Sequence, residues 1–379
     1  MPWFLLVFLI IYILMHLLVL RGIRPLLPPG STRSRLVVGW MVVMLFTPLI
    51  TRLLEHGGFE SSTRLAAWLG YIWMGLLFLA FSAFAVLGFG EIILLATARF
   101  KPAFAQVDLC NRHSARLVLL ITVVIAVYGL FEARDLRVET IRLSSHKLPV
   151  DAATIRIAQV SDLHLGLINR EAVLQPVIAR LQSLRPDLLV VTGDMVDARV
   201  NHLDGLSELW RSINPPLGKF AVNGNHEMYA GLEQSSAFLE RSGFTLLRQQ
   251  AVAVNEYLTV VGMDDPALQA PLNAAQLLAN LPATPYILFL KHRPAIDPDT
   301  PGRFDLQLSG HTHRGQIFPF NLLTRLAYPL QDGLTALSAG GYLYASRGTG
   351  TWGPPLRLLS PPEITLFEIS SGAILQEGD

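Results

Sequence analysis

Long apolar stretches occupy the first third of the chain, whereas the remaining residues carry only short apolar runs. A helix needs about 20 apolar residues to cross the hydrocarbon core of a bilayer. The first stretch has that length, the third exceeds it, and the second and fourth reach it with flanking residues. We therefore predict about four membrane-spanning helices, around residues 2–20, 36–50, 65–96 and 117–131.

The first stretch could alternatively be a cleaved signal peptide. Such a peptide begins with basic residues and ends in a small-x-small cleavage pattern. This stretch has neither feature, and Arg21 and Arg24 come after it. We therefore expect a retained helix.

Beyond the apolar third, short apolar runs that alternate with helical patterns predict buried strands and helices. The helical spacing is clearest at residues 173–184. Toward the C-terminus strands outnumber helices, and residues 363–369 and 373–376 predict a hairpin or meander. This pattern favours an α/β domain with mixed sheets flanked by helices. The strands that matter below are predicted at residues 154–160, 188–192, 219–222, 286–290 and 306–308.

Charge separates the chain into two unlike parts. Residues 1–132 carry ten lysines and arginines against five acidic residues, whereas the remaining residues carry 20 against 24. We predict a transmembrane anchor over 1–132, a juxtamembrane connector over 133–150 and a soluble domain over 151–379. A hydrophobic content of 51% excludes a disordered chain, the single cysteine excludes a disulfide scaffold, and a net charge of +1 disfavours nucleic-acid binding.

The loop charges predict the orientation in the membrane, since Lys and Arg near helix ends favour the cytoplasmic side. Residues 21–35 hold four arginines and no acid, and residues 97–116 hold four basic residues against one acid. Residues 51–64 are balanced, with two of each. With four spans, the soluble domain would lie on the outer face of the cytoplasmic membrane, in the periplasm or cell exterior of a bacterium. A different number of spans would reverse that placement.

Polar clusters follow all five of the strands named above. In α/β sheets, ligands gather beyond the carboxyl ends of strands, so such clusters can meet in one crevice. Five of the ten histidines lie in these clusters, several beside a glycine that permits a sharp turn. The clusters are SDLH with Asp162 and His164, TGDMVD with Asp194, NGNHE with Asn225 and His226, LKHRP with His292, and SGHTHRG with His311 and His313.

Taken singly, none of these clusters indicates a metal site. A D-x-H or H-x-H pair more often belongs to a surface or a core, Asp194 could cap a helix, and Asn225 could form a turn. Five strand ends that each supply a nitrogen or oxygen ligand are hard to explain by chance. No thiolate accompanies them, which favours an open site for a hard or borderline divalent ion over a structural zinc site.

The ordered motifs, together with GHTHRGQ and GTGTWGPPLR, closely resemble the calcineurin-like metallophosphoesterase family and its bacterial membrane-associated branch. The resemblance covers the chain from about residue 154 onward. It implies a two-sheet sandwich with flanking helices and two divalent metal ions, which are Mn, Fe, Zn or a mixture. It assigns the first ion to Asp162, His164, Asp194 and His313, and the second to Asp194, Asn225, His292 and His311, so that Asp194 bridges the two.

The same resemblance implies hydrolysis of phosphoester or pyrophosphate bonds. Two neighbouring cations lower the pKa of a shared water, supply hydroxide at neutral pH and neutralise charge on the phosphoryl oxygens. His226, beside a ligand, would stabilise the transition state or protonate the leaving oxygen. Arg314 would contact substrate phosphate or, on the simpler interpretation, face solvent.

One motif points to a different function. Residues 348–353 match the dinucleotide fingerprint G-x-G-x-x-G, but Pro354 and Pro355 follow, so no helix can begin there. We therefore reject a dinucleotide fold. We expect this loop, with Trp352, to form a wall of the pocket near the metals or simply a rigid turn.

We favour a membrane-anchored, metal-dependent phosphohydrolase. Its partners would be the bilayer and a phosphorylated small molecule or a lipid-linked or envelope substrate, and the spans would either provide lipid access or only anchor the enzyme. A non-catalytic scaffold of the same fold is the alternative, but a scaffold would be expected to lose ligands, and here every ligand position is filled. Transport is disfavoured because the spans lack paired charges.

Overall fold

The computed structural model describes residues 2–197, 203, 205–268 and 273–372, and it forms two compact units. The first unit consists of the residues up to Phe131 together with Gly353–Leu356. The second unit consists of the other residues, from Glu132 onward.

The first unit is helical. Its helices are α1 (Pro2–Ile23), α2 (Thr32–Leu45), α3 (Thr47–His56), α4 (Glu60–Ala98) and α5 (Arg112–Glu132). Three helices, α1, α4 and α5, are long and apolar enough to cross a membrane, and α2 with α3 form a fourth candidate that is bent by 51°. The bend lies at Phe46, two residues ahead of Pro48, because Pro48 lacks the N–H that would otherwise bond to the carbonyl oxygen of Met44. The prediction of about four apolar helices is confirmed.

Helices α1 and α4 run in the same direction. Trp73 Nε1 of α4 donates a hydrogen bond to His16 Nε2 of α1 at 3.1 Å, and further along both helices Gly22 packs against Phe84. The bent pair α2–α3, which connects them in sequence, therefore returns the chain to the end at which α1 begins. As a consequence, the loops after α1 and after α4 lie at the same end of this unit, where they line a cavity of 710 Å³.

The second unit is a sandwich of two six-stranded sheets. The strands are β1 (Arg137–Ser145), β2 (Ile155–Val160), β3 (Leu188–Thr192), β4 (Lys219–Val222), β5 (Thr245–Leu246), β6 (Gln250–Asn255), β7 (Leu258–Met263), β8 (Tyr286–Lys291), β9 (Leu306–Ser309), β10 (Gly333–Ala336), β11 (Tyr342–Ala345) and β12 (Glu363–Ser371). The first sheet has the order β1-β12-β2-β3-β4-β5, and the second has the order β10-β11-β9-β8-β7-β6.

Helices flank both sheets. They are α6 (Glu171–Leu184), α7 (Leu206–Arg211), α8 (Asn225–Arg241), α9 (Ala274–Ala279) and α10 (Phe320–Ala327). Ile157 and Leu288, which come from the two facing sheets, are fully buried and belong to one core between the sheets. Helices α6, α7 and α8 bury Leu174, Trp210 and Phe238 in a second core against the first sheet. The predicted α/β sandwich with flanking helices is confirmed.

Two expectations differ from the structure in detail. The connector expected over 133–150 contains β1, which pairs in parallel with β12. Its charged residues suggested a linker, but they alternate with apolar residues, and Leu143 packs into the core between the sheets. The expected second strand of the C-terminal hairpin, residues 373–376, lies outside the described residues. Strand β12 itself pairs with β1 along one edge and with β2 along the other.

Candidate metal centre

Polar side chains gather where β2, β3, β4, β8 and β9 end. Strands β2, β3 and β4 are parallel in the first sheet, and β8 and β9 are parallel in the second, so within each sheet their carboxyl ends share an edge. Each of these strands begins and ends within one residue of its predicted bounds. The segments that directly follow them carry all the proposed metal ligands, together with His226.

Sharp turns aim these side chains into the site. Left-handed backbone angles are uncommon outside glycine and cluster at functional sites. A Cβ on Gly224 would meet Asp194, and a Cβ on Gly310 would meet Asp162, so glycine is required at both positions. The left-handed φ values are 54° at Asp162, 51° at His164, 51° at Asp194, 72° at His311 and 48° at His313.

The first group of ligand atoms comes from Asp162, His164 and His313. The Nε2 atoms of the two histidines lie 3.0 Å apart, and Asp162 Oδ1 lies 3.5 Å from His313 Nε2. Asp194 Oδ2 is 4.0 Å from His164 Nε2. Metal–ligand bonds of about 2.0–2.2 Å bring ligand atoms to such separations around one ion. This group can therefore hold one cation.

The second group comes from Asp194, His292 and His311. Asp194 Oδ2 lies 3.1 Å from His292 Nε2, which lies 3.1 Å from His311 Nδ1. Asn225, the first residue of α8, lies beside this second group. Its neighbours in sequence, Gly224 and His226, both contact Asp194. The structure therefore brings Asp194 into contact with both groups.

Hydrogen bonds from outside the site orient two of these imidazoles. The carbonyl oxygen of Thr192 lies 2.8 Å from His292 Nδ1. A carbonyl can only accept, so Nδ1 carries a proton and Nε2 is the atom that faces Asp194. The Tyr328 hydroxyl lies 3.2 Å from His311 Nε2, which leaves His311 Nδ1 facing the site.

Burial governs the protonation of these groups. It lowers the pKa of His164 to about 4 and the pKa of His311 to about 3. It also holds the pKa of His313 well below its usual value. Burial opposes the charged form of Asp194, but the adjacent His292 outweighs it and keeps the pKa of that carboxyl well below its usual range. Burial lowers the pKa of His292, but Asp194 outweighs it and raises that pKa to about 10. Because neutral imidazole and ionised carboxylate are the forms that bind metal, His292 would give up a proton on binding a cation.

His226 is held by a carboxylate that the sequence analysis did not single out. Asp197 Oδ1 lies 2.6 Å from His226 Nδ1, while the backbone N–H of His226 donates to Asp194 Oδ1 at 2.9 Å. Burial lowers the pKa of His226, but the charge and hydrogen bond of Asp197 outweigh it and raise that pKa to about 9. The available signal was the second acid of TGDMVD, three residues after Asp194.

Glu227 is the other functional residue that the sequence analysis missed. It is fully buried, and its carboxylate accepts backbone N–H bonds from Asp194 at 3.0 Å, Val196 at 3.0 Å and Gly224 at 2.7 Å. A glutamate at the third position of a helix often accepts N–H bonds at the helix start, and its place in NGNHE was the available signal. Glu227 thus fixes the loop that carries Asp194.

The remaining predicted features lie around this centre. Arg314, the candidate phosphate contact, pairs with Asp332 at 3.1 Å, and its side chain is 38% exposed. The Trp352 ring lies 5.8 Å from the His226 ring, so the loop over 348–353 runs beside the site. Arg357, fully buried, donates hydrogen bonds to carbonyl oxygens of this loop region.

Sequence comparisons relate this chain to known proteins. Residues 155–315 match the family model described as calcineurin-like phosphoesterase. A metallophosphoesterase of Aquifex aeolicus is 40% identical over 66% of this chain and 98% of its own length. A zebrafish protein named "Transmembrane protein with metallophosphoesterase domain" is 32% identical over 66% of this chain and 61% of its own length.

Among solved structures, the 5′-nucleotidase precursor of Thermus thermophilus aligns with 57% of this chain and 55% of its own, at 16% identity and a TM-score of 0.35. The sequence match to the Aquifex protein runs over nearly all of that relative. The chain therefore belongs to the calcineurin-like phosphoesterase family and is a metal-dependent phosphohydrolase.

Proposed function

We propose that the centre binds two divalent ions that share Asp194. One observation carries this proposal. In each of the two groups described above, three side chains place their ligand atoms within 4.8 Å of one another. The buried Asn225 Oδ1 has no hydrogen-bond partner among the described residues, as expected of an atom reserved for a cation. The first ion is assigned to Asp162, His164, Asp194 and His313, and the second to Asp194, Asn225, His292 and His311.

The donor set suits manganese, iron or zinc. All proposed ligands are imidazole nitrogens or carboxylate and amide oxygens, which these borderline or hard ions accept. Two such ions, when bound, supply Lewis acidity and a water nucleophile at neutral pH. The chain's own residues then decide how a phosphoryl group is oriented and where protons go.

His226 is the proposed acid for the leaving oxygen. Asp197 accepts a hydrogen bond from His226 Nδ1 and so keeps the imidazole in one orientation, with Nε2 turned away from that carboxylate. A nitrogen of His226 also lies within 4.8 Å of ligand atoms of His164 and Asp194, which is the range of a metal ligand. We assign it the proton-transfer role because its Nδ1 is already engaged by Asp197.

We further propose that the phosphohydrolase is anchored in the cytoplasmic membrane through residues 1–132 and acts on lipid-linked or envelope phosphoesters or pyrophosphates. The four apolar helix candidates support anchoring, and confinement to a surface raises the encounter rate with substrates on the same surface. The loops after α1 and α4 share one end and are the basic loops, which supports placing residues 151–379 on the opposite, outer face.

Two variants test the assignment. Asp194→Ala is expected to lose bound metal and activity, because both ligand groups use this carboxylate. His226→Ala is expected to keep its metal and to lose about 10²–10⁴-fold in turnover, the usual contribution of a general acid. His146→Ala, at an exposed histidine, is the control.

Metal content by mass spectrometry and turnover of p-nitrophenyl phosphate and its bis ester, with Mn, Fe or Zn, are the measurements. Equal metal loss in both site variants would show that His226 is a ligand rather than an acid. An absence of turnover by the native chain with every metal would favour the scaffold alternative.

A further inference from the structure

Helix α10 turns its apolar side to solvent. Four large apolar side chains of the helix, together with that of Phe318 just before it, form what we call the α10 surface: Phe318, Phe320, Leu322, Leu323 and Leu326. None of the helical residues is buried, although a surface helix of a soluble domain normally packs its apolar stripe on the core. Five exposed apolar side chains on one short segment indicate a surface that is covered by another molecule. The exposed fractions are 41% for Phe318, 43% for Phe320, 57% for Leu322, 60% for Leu323 and 82% for Leu326.

The other side of the helix is fixed by polar contacts. The Gln331 amide donates a hydrogen bond to Asn321 O at 3.1 Å, and the Thr324 hydroxyl donates to the Gln331 side chain. Gly315, in the loop that carries the last ligands, packs against the backbone of Asn321. The exposure of the apolar side chains is therefore a property of a well-held helix and not of a fraying end.

The α10 surface adjoins the metal centre. The helix starts seven residues after His313 and ends at Ala327, directly before Tyr328. The Tyr328 hydroxyl reaches His311 Nε2 at 3.2 Å, and their rings lie 5.2 Å apart. A molecule that covers the α10 surface is thus brought close to the ligand side chains.

The chemistry of this segment favours a lipid surface as its occupant. Residues 316–331 contain no acidic residue, and their one charged side chain is the exposed Arg325. An apolar face with a basic residue beside it is typical of helices that lie in the interface of an anionic membrane. The same chain carries helices able to span a bilayer, so a chain anchored by them stays next to a lipid surface.

We propose that the α10 surface inserts into the lipid–water interface of the membrane that anchors the chain. The metal centre then opens at the level of the lipid headgroups, and the substrate class is a phosphoester whose apolar part stays in the bilayer. This inference rests on the proposed phosphohydrolase function for its substrate, but the insertion of α10 is a separate physical claim.

The insertion is measured on the full chain in vesicles of phosphatidylglycerol and phosphatidylcholine. A bimane label is placed at Leu326→Cys, and as a control at Val150→Cys, where the native side chain is 94% exposed, both in a Cys110→Ser background. We expect a nitroxide on the lipid chains to quench the label at 326 at least about three-fold more than the label at 150. Iodide in the water should show the reverse order.

Equal iodide quenching at both positions, without lipid quenching at 326, would overturn the inference. Protection at 326 that appears only at high protein-to-lipid ratio would overturn it as well, because a second copy of the chain would then cover the helix. Photoactivatable phospholipids give a test that needs no substitution. Their adducts should map to residues 318–326 of the native chain, and a lack of adducts there would refute insertion.

Activity separates this inference from the proposed function. In the double variant Leu322→Ser with Leu326→Ser, we expect kcat/KM for a bilayer phosphoester, relative to a water-soluble one, to fall about ten-fold. An unchanged ratio would refute the role of α10 in substrate access. If the native chain hydrolysed neither substrate while the label at 326 was quenched by lipid, the proposed function would fail and the insertion would stand.

Discussion

The substitution Glu227→Gln tests how the metal-binding loop is held. Oε2 of Glu227 accepts N–H bonds from Asp194 and Gly224, and Oε1 accepts one from Val196. Glutamine replaces one of these oxygens with an NH2 group, which cannot accept. Whichever way the amide turns, a donor then faces at least one backbone N–H in a fully buried position.

The cost follows from the number of donors left without an acceptor. The fewest hydrogen bonds are lost when the NH2 group of the amide faces Val196. Two buried donors, that NH2 group and the Val196 N–H, are then left without an acceptor. Each such group costs about 1–3 kcal/mol, so we expect the free energy of unfolding to fall by about 2–6 kcal/mol. For a unit of this size, that corresponds to a melting temperature lower by roughly 4–24 °C. The loop with Asp194 would also lose its fixed position, so metal affinity should fall.

The assay compares thermal unfolding of the second unit and metal content in the full chain, with and without added Mn²⁺. Glu240→Gln is the matched control, because it makes the same chemical change at an exposed position of the same helix. We expect Glu240→Gln to resemble the native chain in both measurements. A Glu227→Gln variant with the native melting temperature and metal content would refute the idea that this carboxylate holds the loop.

Three further predictions concern the site and the topology. Asp197→Asn should keep the metal but lower turnover about ten-fold to a hundred-fold, because His226 loses the carboxylate that orients it. Gly310→Ala should reduce metal content, measured by mass spectrometry, since its Cβ would meet the Asp162 carboxylate. A phosphatase reporter fused after residue 379 should be active in cells if, as we propose, four spans place that end outside the cytoplasm.

Each of these has an outcome that contradicts it. Metal loss in Asp197→Asn would mean that the aspartate supports the ligands rather than His226. Full metal occupancy in Gly310→Ala would mean that the turn after β9 can move aside. An inactive reporter would mean that the bent pair α2–α3 does not cross the membrane as one span.

The convergence of the proposed ligand residues could be predicted because their signal is local. A polar cluster directly after an apolar strand, as at Asp162 and His311, is visible within a few residues. The roles of Glu227 and Asp197 could not be predicted in the same way, since they depend on which N–H or imidazole the fold brings near each carboxylate. A carboxylate beside a helix start or a turn is otherwise an ordinary surface residue.

Strand β1 and helix α10 were missed for a related physical reason. The mixed charges of β1 resemble a linker because the strand is an edge strand that is covered only in part, and its partner lies far away in sequence. Helix α10 has an apolar stripe that by itself would predict packing on the core. Its exposure is visible only once Asn321 and Thr324 are seen to hold the opposite side.

Strand β12 has a consequence for the order of folding. It lies between β1 and β2, so β1 has no partner strand and β2 has only β3 until residues 363–371 are available. Arg142 and Glu368, paired at 3.2 Å, are separated by 226 residues in sequence. At about 5–20 residues per second, synthesis of that stretch takes roughly 10–45 s, during which the first sheet is incomplete. Such long-range pairing makes folding slow. If residues 151–379 lie on the outer face, as we propose, the first sheet would close only after this part of the chain has crossed the membrane.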